Sequence, residues 1–332
     1  TDMSGFASDA NGKGSVVAAQ LAAEESASQL PGMKIEVIFA DHQNKPDIGG
    51  GIARRWVETE NVNAILDVPV SSVALAVTEV TRNANALFIA SGPGSTELTG
   101  AKCSPHLVHW TYDTWALARG TAKTVTESGK KKWFFVTADY AFGHALERDA
   151  SELVKASGGT VVGSVRHPIN SADFSSFLLQ AQASNADVIA LANAVGDTIN
   201  SIKQAAEFNI LGSKQSVVAL LLQLTDIHSL GLKTAKGLYL TQPFYWDQNA
   251  GTRNFADRFA ERMGGRRPTD VQAGVYSSLL HYLKAVKQTS TTSADAVIAA
   301  MKARPTDDAL FGRGRIRDDG RTIHPMHVMQ VK

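Results

Sequence analysis

The feature that most constrains this chain is a repeated unit: a short apolar run, a loop of small residues, then an amphipathic alanine-rich stretch. The runs are "KIEVIFAD" (34–41), "NAILDV" (63–68), "ALFIAS" (86–91), "KKWFFVTAD" (131–139), "GTVVGSVRH" (159–167), "DVIALAN" (187–193) and "GLYLTQPFYW" (237–246). Most are apolar on both faces, as strands of a parallel sheet covered by helices on both sides must be. Helix patterns separate them at 14–30, 49–60, 72–84, 115–129, 143–158, 174–184 and 198–209, and close the chain at 254–264, 271–289 and 294–304. Alternating strands and helices imply an α/β fold with doubly wound sheets. At 332 residues the chain exceeds what one core usually absorbs, so two domains are expected. No low-complexity linker divides it, which favours several ordered crossings over a single tether.

Composition excludes several partners. Lys and Arg total 33 against 32 Asp and Glu, a formal charge of +1 that leaves no footprint for nucleic acid. The longest apolar stretch, "SVVALLLQLTDI" (216–227), is too short to span a bilayer. The single cysteine, Cys103, forms no intrachain disulfide and reads as a small buried hydrophobe. His106 and His109, like His324 and His327, stand three residues apart with no third ligand in sight, so no metal is expected. Lys130–Lys132 reads as a solvated turn. The first residues, "TDMSGFASDANGKG" (1–14), read as the loop after a strand that the sequence lacks. A start on Thr1 is compatible with a processed chain or with missing residues, and location cannot be read from it directly.

Ligands of open parallel sheets bind beyond the carboxyl ends of the strands. The loops there are "PVSSV" (69–73), "SGPGSTELTG" (91–100), "DYAFGH" (139–144) and "NAVGDT" (193–198). They offer hydroxyls and backbone N–H groups but few ionisable side chains, which suits a cradle for a carboxylate or similar anion. Enzyme motifs fail residue by residue. Ser71 lacks the flanking glycines of a nucleophile elbow and has no adjacent histidine, Asp67 being the nearest acid. "GKG" (12–14) has Ala7 where a P-loop needs glycine, and "GPGSTE" has Glu97 where a dinucleotide fingerprint needs its third glycine. No catalysis and no cofactor are expected. Aromatic residues cluster in "HWTYDTW" (109–115) and "PFYWD" (243–247), with Phe142 in a strand-end loop. They either pack a core or domain interface or line the apolar wall of a ligand cleft.

The series "TDMSG", "DHQNKPD" (41–47), "SSVALAV" (71–77), "SGPGSTELTG", "DYAFGHAL" (139–146) and "GRIRDDGR" (314–321) resembles the type I solute-binding proteins of ABC transporters, in the leucine/isoleucine/valine-binding family. The likeness runs the length of the chain; its force lies in the order of the motifs, none of which is specific alone. It implies two α/β lobes, 1–113 with 248–312 and 118–243 with 318–332, joined by hinges near 114–117, 244–247 and 313–317 and closing on a small-molecule ligand. It also implies a periplasmic or lipid-anchored location, a membrane permease as partner, and a monomer.

By resemblance, Val70, Ser71 and Ser72 hold a ligand carboxylate, with Ser71 giving its hydroxyl. Gly92, Pro93, Gly94 and Ser95 supply main-chain groups and another hydroxyl. Tyr112, Phe244 and Phe142, the last followed by Gly143, supply rings, and the loop at Asn193 and Ala194 completes the set. Amino-acid binders of the family carry a carboxylate in the loop matching "VVALLLQ" (217–223); here Ala219, Leu220 and Leu221 stand there. A ligand ammonium facing that apolar wall costs roughly several kcal/mol. A benzoate-like or phenylpropenoid acid is therefore the leading expectation. An amide, a small aliphatic acid or a branched amino acid follows, and a ligand-sensing receptor domain is the alternative role.

Overall fold

The computed structural model describes residues 1–211 and 214–332. Its contacts divide it into two compact units, Thr1–Tyr112 with Pro243–Pro325 and Asp113–Gln242 with Met326–Lys332.

The first unit opens with α1 (Gly12–Ala27), which buries Val17 and Leu21, and α2 (Pro46–Thr59), begun by a proline whose missing N–H costs nothing in a first turn. Then come β1 (Ala64–Leu66), α3 (Ser71–Thr81), β2 (Leu87–Ala90) and β3 (Leu107–His109). These strands form a parallel sheet ordered β1-β2-β3, with Ile65 opposite Phe88 and Ile89 opposite Val108. Every residue of β2 is buried. The run at 34–41, expected as a strand, belongs to no ladder and has no regular secondary structure. Ile35 and Val37 still pack against the core, whereas Ile38 and Phe39 are exposed. Apolar pattern alone cannot make a strand; a paired neighbour is required.

The second unit begins with α4 (Thr114–Ala118), capped by Asp113, whose carboxylate accepts from Ala116 N–H at 2.7 Å. It continues through a π turn into α5 (Thr124–Glu127). Next follow β4 (Lys132–Ala138), α6 (Ala141–Ala156), β5 (Thr160–His167), α7 (Ser175–Ala183), β6 (Val188–Ala192), α8 (Val195–Glu207) and β7 (Ser216–Ala219). Two short helices, α9 (Leu224–Leu230) and α10 (Leu232–Ala235), lead to β8 (Tyr239–Gln242). The parallel sheet runs β5-β4-β6-β7, and all five residues of β6 are buried. Its core gathers Val136, Ile189, Leu191, Phe174 and Ile202.

The chain then returns to the first unit as α11 (Ala250–Arg262), α12 (Asp270–Thr289) and α13 (Ala294–Ala303). Thr269 and Gln272 cap α12 reciprocally. An antiparallel meander follows: β9 (Thr306–Asp308), β10 (Gly312–Ile316) and β11 (Thr322–Ile323). Because β10 pairs with both β9 and β11, residues 313–317 stay in the first unit, and the chain leaves it at 325 and not at the expected third hinge. Last comes β12 (His327–Gln330), antiparallel to β8 in the second unit. These pieces and β3 are too short for a period of two to stand out in sequence. Cys103 corrects an expectation: it is exposed, in a turn whose carbonyl accepts from Arg82 Nη1 at 2.7 Å.

Candidate functional site

In the first unit, the loops after β1 and β2 meet at one hydrogen bond. Ser71 opens α3, and its buried Oγ accepts from Ser95 N–H at 3.2 Å. The Ser71 O–H proton has no acceptor among the described residues. The first N–H groups of α3 have no intrahelical partner either, as at any helix start. Val70 is buried and extended just before the helix, and Ser72 is half-buried. Gly92, Pro93, Gly94 and Ser95 are all buried. Pro93 O accepts from His109 Nε2 at 2.7 Å, and Gly92 O from the Tyr112 hydroxyl at 3.2 Å. Ser95 Oγ accepts from Glu97 N–H at 3.3 Å, capping a single 3₁₀ turn. A Cβ on Gly92 would lie 2.7 Å from both Asp67 Oδ1 and Pro69 Cα, so any side chain there must displace its neighbours. The unit thus brings Val70–Ser72, Gly92–Ser95 and Tyr112 into one cradle of hydroxyls and main-chain groups.

Phe244 belongs elsewhere in the same unit. It packs edge-on to Phe255 at 6.4 Å and near Phe311 at 6.2 Å, inside the core. Trp110 is likewise core, whereas Trp246 lies under the Arg267 guanidinium at 4.4 Å.

In the second unit, the strand-end residues are apolar or internally bonded. Phe142 is buried in the first turn of α6, 6.0 Å from the Tyr140 ring. Gly143 is obligatory, since a Cβ there would stand 2.0 Å from Ala138 O. The Asn193 side chain is engaged through both of its amide atoms. Its Nδ2 donates to Ser201 Oγ at 3.1 Å and to His167 Nε2 at 3.2 Å, while Oδ1 accepts from Thr198 Oγ1 at 2.9 Å. That brace holds the buried Asn193 side chain against α8 and leaves it one amide-oxygen lone pair uncommitted among the described residues. Ala194 caps α8 in extended geometry, its carbonyl accepting from Asp197 N–H at 3.1 Å. Leu220 N–H donates to Leu191 O at 3.2 Å, and Leu220, Leu221 and Leu222 are all buried.

Several residues at these loops escaped the sequence reading. Tyr140 carries, two residues earlier, the hydroxyl that Phe142 lacks; burial first and Asp197 second push its phenol upward. Burial holds the Asp197 carboxyl up at about 6 although Asn170 and Ser171 N–H donate to it. Burial also raises Asp67 above the usual carboxylate range. Val68 adopts a left-handed φ of 53° in the loop after β1, and Val195 one of 49° at the start of α8. A β-branched residue there is strained, and such strain gathers in loops held for a purpose. No residue-type signal marks it, because valine is the residue least expected at positive φ.

Among the described residues no base reaches Ser71, and its hydrogen-bond partner is the Ser95 amide. The histidines are structural: His106 bonds Thr81 O and Asp295, and His324 bonds Trp110 O. Among the described residues no cluster could hold a metal ion, and no helix is long and apolar enough to cross a membrane.

A family model described as "Periplasmic binding protein" matches residues 1–332. A periplasmic binding protein of Burkholderia mallei is 44% identical over 100% of this chain and 88% of its own, with a TM-score of 0.97. A branched chain amino acid ABC transporter periplasmic ligand-binding protein of Burkholderia xenovorans is 35% identical over 99% and 88%, TM-score 0.87. A solute binding protein of Rhodopseudomonas palustris, solved with 3,4-dihydroxy benzoic acid, shares the fold at 23% identity, 100% and 91% coverage and TM-score 0.90. The chain spans 66% of the length of the Leu/Ile/Val-binding protein homolog 4 of Brucella abortus, 25% identical over 81% of itself.

Proposed function

Because the chain belongs to the periplasmic binding protein family, we propose that it captures a small apolar carboxylate outside the cytoplasm and delivers it to the membrane permease of an ABC importer. One observation carries the reading. Ser71 Oγ accepts from Ser95 N–H, and among the described residues its O–H donor is uncommitted, at the start of α3. A hydroxyl donor beside free helix N–H groups recognises a carboxylate.

The apolar residues at 219–222 decide what the rest of the ligand resembles. They are buried and carry no carboxylate to pair with an ammonium. An aromatic acid of the benzoate or phenylpropenoid class meets both requirements, and the dihydroxybenzoate complex of the Rhodopseudomonas palustris protein is in keeping with it. A branched-chain amino acid is the second reading, favoured by the naming of the Burkholderia xenovorans protein. It needs a counter-ion for its ammonium, and of the acids in the second unit's strand-end loops Asp197 is already held by two backbone N–H groups and Asp139 by His144 and Arg166. A closing hinge between the lobes, a monomeric state and a periplasmic address complete the reading by family membership. A ligand-sensing domain on the same fold differs only in what lies beyond the chain.

A thermal-shift screen tests the substrate class. Ligands that bind only the folded state stabilise it, by about 2.7 kcal/mol at a hundredfold excess over Kd. Benzoates and phenylpropenoid acids are expected to raise Tm while leucine and valine do not. Stabilisation by leucine or valine alone overturns the aromatic-acid reading.

A further inference from the structure

Arg321 closes the motif "GRIRDDGR" (314–321) and is 3% exposed, so a permanent positive charge lies inside the first unit. It stands one step beyond β3, bridged in parallel to His109. Its Nη1 donates to His109 O at 3.3 Å, to Trp110 O at 3.1 Å and to Thr322 O. Those three acceptors are neutral carbonyls and cancel none of the charge. Asp319, two residues away, accepts from the Arg317 guanidinium and from the Arg321 main-chain N–H. The field of Arg321 is felt by a buried neighbour: burial first and that charge second hold the His324 ring down at about 4.

The segment that Arg321 grips is the one that supports the cradle. His109 Nε2 donates to Pro93 O at 2.7 Å, and the Tyr112 hydroxyl donates to Gly92 O at 3.2 Å. β2 and Arg321 flank β3 on its two sides, so the guanidinium and the loop that follows β2 are separated by two inter-strand spacings, about 10 Å. The cradle loops, 69–73 and 91–100, contain no Lys or Arg, and their one charged side chain, Glu97, has the wrong sign for an anion. Asp67, between them in the fold, is pushed by burial toward its neutral form.

We propose that Arg321 is the cation of the carboxylate cradle: buried behind β3, it favours an anionic ligand through its charge, without touching it. The inference rests on the carboxylate reading above. Arginine suits the place because its planar fork spreads over several carbonyls and its charge is not lost at any ordinary pH. Buried charges are little screened by salt, so the attraction persists across β3. At about 10 Å and an effective dielectric constant of about 20 it amounts to about tenfold in affinity for one negative charge, and to nothing for a neutral isostere.

The test reads the charge at the cradle in two independent ways. Calorimetry compares benzoate with benzamide, a neutral ligand of nearly the same shape, in the chain as it stands, in Arg321→Gln and in Arg321→Lys, with circular dichroism to check folding. Arg321→Gln is expected to weaken benzoate about tenfold and benzamide less than about twofold, and Arg321→Lys to restore most of the loss. The second measurement needs no ligand. In Ser71→Cys, with the exposed Cys103 replaced by Ser, thiolate absorbance follows the thiol at position 71. Arg321→Gln is expected to raise its pKa by about one, and Arg321→Lys to bring it back. Equal weakening of benzoate and benzamide with an unmoved thiol makes Arg321 a scaffold clamp and overturns the proposal. Unchanged benzoate affinity with an unmoved thiol also overturns it and leaves the carboxylate reading standing. A thiol that follows the charge in a chain that binds no benzoate supports the field of Arg321 and overturns the aromatic-acid reading instead. If Arg321→Gln fails to fold, Arg321→Lys decides alone: a retained preference for benzoate over benzamide and a retained thiol pKa support the proposal, and loss of both overturns it.

Discussion

The strand-end loops of the two units occupy the same topological place and carry opposite chemistry. In the first unit the loops after β1 and β2 present glycines and hydroxyls, and Ser71 retains a donor that nothing among the described residues consumes. In the second, the polar side chains are consumed internally: Asn193 by Ser201, His167 and Thr198, and Asp197 by two backbone amides. What remains there is apolar, Phe142 and Leu220 with its neighbours. The contrast teaches that a doubly wound sheet fixes where the strand-end loops lie but not the chemistry they present. That chemistry rests on which loop side chains are spent on the loop itself.

The glycines break the comparison most severely. Gly143 and Gly92 sit in corresponding loops, but the obstacles to a Cβ differ. At Gly143 the obstacle is a backbone carbonyl at 2.0 Å, which cannot yield without moving α6 off β4; at Gly92 two of three obstacles are side-chain oxygens, at 2.7 and 2.8 Å. Helix propensity favours alanine in α6 by about 1 kcal/mol, which does not offset the overlap. Gly143→Ala is expected to cost 3 kcal/mol or more, at the upper end of overpacking, and Gly92→Ala about 1–2 kcal/mol. Denaturant unfolding measures both, and equal losses would show that the second unit's loop is as adaptable as the first's.

A pH titration sharpens the contrast with smaller effects of opposite sign. In the first unit, burial and then the neighbouring Thr1 amine hold His42 down at about 4 from 6.5; its Nδ1 accepts from Asn44 N–H at 3.1 Å, in keeping with the neutral ring. The folded state then binds fewer protons than the unfolded one between these values, so stability rises with pH from about 4 to 6.5. In the second unit, Asp197 is raised from 3.8 to about 6, so the folded state binds more protons and stability falls across that window. Each swing is at most about 3.5 kcal/mol. Hydrogen exchange in α3 and α8 resolves the units. His42→Gln is expected to flatten the rise in α3, and Asp197→Asn the fall in α8. Identical pH profiles in both helices would refute the assignment.

Much of this was legible in sequence, and the failures are physical. Long runs such as 131–139 and 187–193 announce β4 and β6 because burial on both faces leaves little but apolar residues. The run at 34–41 announced a strand equally well and forms none, because pairing depends on a partner and not on pattern. The hydroxyl cradle could be read from Ser71 and Ser95, whose residue types are the signal. The bracing of Asn193 could not, since the same amide serves a ligand or a scaffold according to where Thr198 and Ser201 fall after folding. Phe244 shows the same ambiguity for a ring.

The smallest change separates cap from cradle. Ser71→Ala removes an acceptor and a donor at once, and the two losses report on different things. Losing the acceptor leaves Ser95 N–H buried and unpaired and lowers the stability of the free protein by about 1–2 kcal/mol. Losing the donor weakens an apolar carboxylate by about 1–3 kcal/mol, roughly 5- to 150-fold in Kd. Ser71→Cys helps divide them, since a thiol is a weak donor and a weak acceptor of nearly the same shape. Calorimetry of ligand binding beside unfolding of the free protein gives both numbers. If stability falls while affinity holds, Ser71 only staples the two loops together, and the anion must be held by main-chain groups of α3 and Gly92–Ser95. If affinity falls with little change in stability, the uncommitted O–H is the group that reads the carboxylate, and the first unit's loop differs from the second's by one free proton.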